Sequence, residues 1–168
     1  MTLGELNRMD RAAFRTALGA IFEHSPWVAE RAWDARPFAD TDALHAAMCA
    51  VVADSDKQAQ MTLIRAHPRL ADRAALRAGL SADSQREQIG AGLDQCSADE
   101  LADLTALNAA YDERFGFPFI IAVREHTRAG IIEQMRNRLG RAPETEVAEA
   151  LRQIERIARL RLDALVEH

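Results

Sequence analysis

Phe117-Pro118-Phe119-Ile120-Ile121-Ala122-Val123, FPFIIAV, decides the fold class, because it is the one stretch of this sequence that reads as a strand. Aromatic and β-branched residues crowd it, as a pleated, half-buried surface requires. It is also short and solitary, and one or two isolated strands have little stability in water. The reading is an extended segment near residues 117–123, threaded between helices, and not the edge of a sheet. The composition agrees: Ala, Leu and Arg dominate while Gly and Pro are sparse, a mix that favours helix.

Outward from that segment the punctuation is helical. Asp10 caps a helix running to about Phe22, with Phe14, Leu18, Ile21 and Phe22 on one face. Ser25 followed by Pro26 marks a second start, and Arg36-Pro37 a stop. Asp40 or Thr41 opens a helix to about Ala53, and Ser55 or Asp56 opens the next, which stops at Ala66 because Pro68 pushes His67 out of helical geometry. A short helix from about Ala71 to Ala78 ends at Gly79. Ser81 or Ser84 can cap the next helix; Ser84 with Glu87, and Ser97 with Glu100, match capping boxes, and Gly116 is placed to end the helix before the extended segment. Thr127 caps a helix that ends at Gly140, and a last helix runs from near Pro143 to about Val166. The expected architecture is all-α: a single-domain bundle of roughly eight helices over residues 1–168, with no repeat and no linker.

The bulk numbers narrow the function classes. A chain of 168 residues, 48% apolar and 28% charged, is ordinary globular material for one core. The formal charge of −5 and the interspersed signs argue against a nucleic-acid or membrane surface, although a local pocket can still take a small anion. No run reaches membrane-spanning length, and the charged first dozen residues lack the apolar core of a signal peptide. Cys49 and Cys96 are isolated and read as buried, reduced thiols in a cytoplasmic protein.

Little of this points to borrowed chemistry. The five histidines are scattered, none at ligand spacing to another His or Cys, so no metal site is expected. Three features stand out. His67 precedes proline at a helix end, where it either bonds the last carbonyls or is presented for proton transfer. Ser84 to Gln88 either closes a capping box or opens a helix N-terminus to an anion, with Ser84, Gln85 and Gln88 as side-chain donors. Arg161 lies, at about 100° per residue from Leu151, near 280° and within the stripe of Ile154, Ile157, Ala158, Leu162, Ala164 and Leu165. A core-facing guanidinium needs an anionic partner, which is either an internal carboxylate or a carboxylate ligand.

Taken together, "RAHPRLA" (65–71), "SQREQ" (84–88) and "FGFPFIIAV" (115–123), with "SPW" (25–27) upstream, resemble the 2-oxo-4-hydroxy-4-carboxy-5-ureidoimidazoline (OHCU) decarboxylases of urate degradation along essentially the whole chain. The resemblance implies an all-helical decarboxylase without cofactor or metal, whose substrate is OHCU and whose product is (S)-allantoin. It implies that His67 is catalytic with Glu87 close to the reacting group. It also implies that Pro68, Ser84, Gln85, Arg86 and Gln88 line the pocket. Phe119, Ile120, Ile121, Ala122 and Val123 would offer backbone hydrogen bonds to the flat ligand, and Arg161 would bind its polar or anionic part. A homodimer is implied as well. Two alternatives stand beside it: a non-catalytic helical binding or dimerisation module, and another ureido-processing enzyme.

Overall fold

The structure is a computed structural model and describes residues 1–71 and 80–167. The chain is all-α: nine α-helices lie among the described residues, which contain no strand and only one isolated bridge, between Thr2 and Glu167. They are α1 (Leu3–Arg8), α2 (Arg11–Leu18), α3 (Pro26–Ala32), α4 (Thr41–Ala53), α5 (Lys57–Arg65), α6 (Ala82–Gly90), α7 (Ala98–Phe115), α8 (Arg128–Leu139) and α9 (Pro143–Leu165). Among the described residues, no helix is long and apolar enough to cross a membrane. The expected helix from Ala71 to Ala78 lies outside the described residues save for its first position.

The chain forms two compact units. One comprises residues 1–66 and 155–168, the other residues 67–154, so α9 contributes to both. In the first unit α2 packs on α3 and α3 on α4, and Leu6, Phe14, Leu18, Val28, Leu44, Met48 and Leu63 are fully buried. In the second unit α7 packs on α8. There Tyr111 gathers the rings of Phe115, Phe117 and Phe119, at centroid distances of 4.5, 5.8 and 5.4 Å.

Most helix starts follow the expected caps. The carboxylates of Asp10, Asp40 and Asp56 accept from the N–H groups of Ala13, Ala43 and Ala59, and the hydroxyl of Thr127 from that of Gly130. Gly116, at φ 72°, takes the left-handed position that ends α7, which a Cβ would strain. The FPFIIAV segment is indeed neither helix nor strand through Ala122; a single 3-10 turn begins at Val123.

Several expectations need correction. α1 was not foreseen, although Thr2 and Glu5 close a full capping box, with N–H···O distances of 3.2 and 2.8 Å. α2 ends at Leu18, not Phe22, and beyond it the carbonyls of Ala20 and Ile21 accept from Arg161. Ser25 holds the N-cap position of α3 but makes no side-chain cap bond. Of the two cap candidates for α6 it is Ser81 that caps, its hydroxyl accepting from Ser84 N–H at 3.1 Å; Ser84 sits one turn inside the helix and is therefore not the N-cap of a box with Glu87. Ser97 caps α7, but Glu100 pairs with Arg128 Nε at 3.1 Å and leaves that box half made. Neither cysteine is in a disulfide, and both are half-buried, not fully buried.

Candidate active site

α5 stops where the sequence demands. Ala66 closes its last turn, with N–H bonds to Thr62 O and Leu63 O, and Pro68 has no N–H to extend the ladder. His67 leaves the helix at that point and is buried, at 7% exposed. The chain that follows is held from three sides. Gln88 accepts from Ala71 N–H at 3.0 Å and donates to Arg69 O at 3.3 Å. Asn108 donates to Leu70 O at 2.9 Å, and Arg69 pairs with Asp112. Ala71 is left-handed at φ 53°, a conformation a Cβ disfavours, and it persists because Gln88 and Asn108 fix its surroundings. Gln88, expected as a ligand contact, therefore has both ends of its amide on the main chain beyond His67.

α6 presents one face inward. Ser84 and Gln88 are buried and Glu87 is half-buried, whereas Gln85 and Arg86 are exposed and Arg86 pairs with Asp83 on its own helix. α6 packs against the 3-10 turn Val123–Glu125. The stretch after His67, the inward face of α6 and the end of the extended segment thus meet within one unit.

In that segment Phe119, Ile120, Ile121, Ala122 and Val123 are all buried, none more than 5% exposed. Four main-chain groups are taken among the described residues, two of them by the turn that follows: Ala122 O accepts from Glu125 N–H at 3.0 Å and Val123 O from His126 N–H at 3.1 Å. Ile120 O accepts from Arg138 Nη1 at 2.8 Å, and Ala122 N–H donates to Gln153 Oε1 at 2.9 Å. Among the described residues, the N–H and C=O groups of Phe119 and Ile121 have no hydrogen-bond partner. Buried main-chain polar groups are almost always paired, so this edge is chemically unfinished.

Behind the segment stands an ion pair that sequence reading missed. Arg138, 1% exposed, donates through Nε to Glu146 Oε2 at 3.0 Å, and its guanidinium lies 4.3 Å from the centroid of the Phe119 ring. Tyr111 donates its hydroxyl to the same carboxylate. Burial first, then Glu146, holds the Tyr111 hydroxyl well above the ordinary phenol range. The signal was available: Arg138 extends the buried stripe Ile131, Ile132, Met135 of α8, as Asn108 extends the Leu104–Tyr111 stripe of α7.

Arg161 belongs to the other unit. It is 6% exposed and has the internal carboxylate that periodicity left open: Nη1 lies 3.0 Å from Glu23 Oε2, and donates to Ala20 O at 3.1 Å. Of its expected stripe Ile154, Ile157, Ala158 and Leu162 are buried, Leu165 is half-buried and Ala164 is exposed. Among the described residues, no group of three or more His, Cys, Asp or Glu side chains could hold a metal ion.

Comparison with known proteins gives one answer. A model of the family described as OHCU decarboxylase matches residues 7–163. The 2-oxo-4-hydroxy-4-carboxy-5-ureidoimidazoline decarboxylase of Haloferax volcanii is 41% identical over 162 residues, covering 96% of this chain and 94% of its own length. The uric acid degradation bifunctional protein of Bacillus subtilis is 42% identical over 165 residues, 98% of this chain but 33% of that protein. Among solved structures, the crystal structure of (S)-allantoin synthase superposes with a TM-score of 0.77 at 30% identity, over 99% of this chain and 54% of that one.

Proposed function

This chain belongs to the OHCU decarboxylase family, and on that premise we propose that it converts OHCU to (S)-allantoin and CO2 in urate degradation. The relatives supply the reaction. The observation that carries it onto this molecule is the unfinished main-chain edge at Phe119 and Ile121, buried in the unit that holds His67. A flat ring with a ureido arm carries N–H donors and carbonyl acceptors in one plane, which is what an extended backbone edge can match.

The substrate brings its own electron sink. Its carbon 4 carries the carboxylate and a hydroxyl, and neighbours the C=N bond at carbon 5. When the bond from carbon 4 to the carboxylate breaks, CO2 leaves and the electron pair forms a C4=C5 double bond. The C=N pair moves onto nitrogen, which takes a proton. The resulting enol then loses its hydroxyl proton as carbon 5 gains one, which sets the stereocentre of allantoin. One proton is consumed overall for each carboxylate lost.

In this proposal the protein supplies position and protons. His67 hydrogen-bonds the 4-hydroxyl or the carboxylate and takes part in proton transfer, with Glu87 on the facing helix biasing its charge. A positioned general acid or base of this kind is worth about 10²- to 10⁴-fold. Burial of His67 keeps bulk water from competing for the reacting groups. Ser84 and Pro68 line the pocket. The exposure of Gln85 and Arg86 argues for a place at its rim rather than against the ring. No step in this scheme calls on a metal or an organic cofactor. Residues 1–168 act as one domain, as a cytoplasmic homodimer.

The test uses freshly generated OHCU. Adding the protein accelerates CO2 release, and a chelator leaves the rate unchanged. A rate no faster than spontaneous decay contradicts the reading, and a chelator-sensitive rate contradicts its cofactor-free form.

A further inference from the structure

We propose that Arg138 and Gln153 are positioning residues that select which edge of the 119–123 segment faces the substrate. The inference rests on the reading that this segment binds the ligand through its backbone. In an extended chain, main-chain groups two residues apart share one edge, and those of the residue between them face the other. Ile120 O and Ala122 N–H are the two groups held by side chains, and Ala122 O accepts from Glu125 N–H; Ile121, between them, has both of its main-chain groups unpartnered among the described residues, as does Phe119. The pins come from separate helices. Arg138 on α8 is itself anchored by Glu146, which it meets through Nε at 3.0 and 3.3 Å, and it also covers the Phe119 ring. Gln153 on α9 is anchored by donating to Glu149 Oε1 at 2.8 Å.

The ring contacts of Phe117 and Phe119 with Tyr111 bear on that register as well. Among the described residues the segment has no partner strand, and a slip by one residue would exchange the two edges and turn every side chain over. Phe119, Ile120, Ile121, Ala122 and Val123 are all apolar, so burial alone discriminates weakly between the two settings. Two directional bonds to even-numbered residues, one accepted and one donated, remove the ambiguity and leave the groups of Phe119 and Ile121 for the ligand.

Gln153 is half-buried at a helix surface, so it can be changed without opening a core. Gln153→Leu is expected to raise the (S)-allantoin dissociation constant, measured by calorimetry, and the KM for OHCU by about tenfold, the scale of one hydrogen bond. kcat stays close to wild type, and the melting temperature falls by a few degrees because Ala122 N–H loses its partner. The double exchange Glu149→Gln with Gln153→Glu retains an acceptor for Ala122 N–H and a donor–acceptor pair between the two side chains, and it restores affinity to within about threefold of wild type. Arg138→Lys keeps a cation opposite Glu146 but gives up the fork that reaches Ile120 O at the same time, and it follows Gln153→Leu. Wild-type affinity and KM in Gln153→Leu, with only the melting temperature lowered, overturn the positioning role and leave the decarboxylase reading intact. A wild-type protein that neither binds allantoin nor consumes OHCU overturns that reading and this inference with it.

Discussion

Glu146→Gln probes the core of the unit that carries His67. The Glu146 carboxylate is 0% exposed; it receives Arg138 Nε at 3.0 and 3.3 Å and the Tyr111 hydroxyl, and half-buried Arg141 approaches to 3.5 Å. The glutamine is nearly isosteric, so no cavity forms. What changes is that Arg138 loses its counter-charge while buried, and an amide N–H₂ enters a cluster that already consists of donors. Removing one partner of a buried ion pair costs about 3–5 kcal/mol. For a chain of this length each kcal/mol lowers Tm by roughly 2–4 °C, so the expected fall is about 6–20 °C. Thermal unfolding followed by far-ultraviolet circular dichroism at neutral pH reads it directly. A fall smaller than about 2 °C refutes the claim that Glu146 is the counter-charge that holds Arg138 in the core. The double variant Arg138→Met with Glu146→Leu removes both charges and is expected to recover most of the stability. It does not recover affinity for (S)-allantoin, because Ile120 O has lost its donor. Recovery of both would leave Arg138 with a purely structural role.

Arg161→Ala takes the guanidinium partner from the Glu23 carboxylate, which is 1% exposed, and lowers Tm by a similar amount whatever it does to binding; unchanged stability with a raised KM contradicts the internal ion pair as its main role. Gln88→Leu leaves Ala71 N–H and Arg69 O without their partner and loosens the exit from His67, so kcat falls at least about tenfold while KM moves less; a wild-type kcat removes Gln88 from the account. Cys49 gives a pH prediction. Burial, and then the neighbouring Glu155 charge, pushes its thiol up from near 9.0 to about 12, so the folded state holds the proton more tightly than the unfolded one. That contribution is complete below about pH 9 and is lost as pH rises towards 12, by up to about 1.4 kcal/mol per pH unit. Cys49→Ala therefore flattens the alkaline decline of stability between pH 9 and pH 11, measured by urea midpoints, and an unchanged slope contradicts the shift.

What was legible in the sequence is what local chemistry determines. Asp10, Asp40, Asp56 and Thr127 announce helices because a side-chain oxygen one residue ahead of a helix satisfies its own backbone. The lone FPFIIAV run could be set aside as a sheet because a strand needs a partner, and Arg161 could be flagged because a charge on an apolar stripe needs an answer. What was not legible was which partner gives that answer. Glu23 is 138 positions from Arg161, and nothing local distinguishes it from the other acidic residues. Arg138, Asn108 and Gln153 were missed for a related reason: each sits on a helix that reads well without it, and its role exists only once Ile120, Leu70 or Ala122 is brought alongside. At Ser81 and Ser84 both residues fit the local rule, and the structure places the earlier one at the cap.

The central claim, that His67 directs a stereospecific decarboxylation, is tested most directly by circular dichroism of OHCU generated in place. Wild-type protein is expected to develop the full signal of (S)-allantoin as CO2 is released. His67→Asn, folded by its far-ultraviolet spectrum and melting temperature, is expected to give allantoin only at the spontaneous rate and without excess of the (S) form. An (S)-allantoin signal that grows as fast in His67→Asn as in wild type would contradict the account.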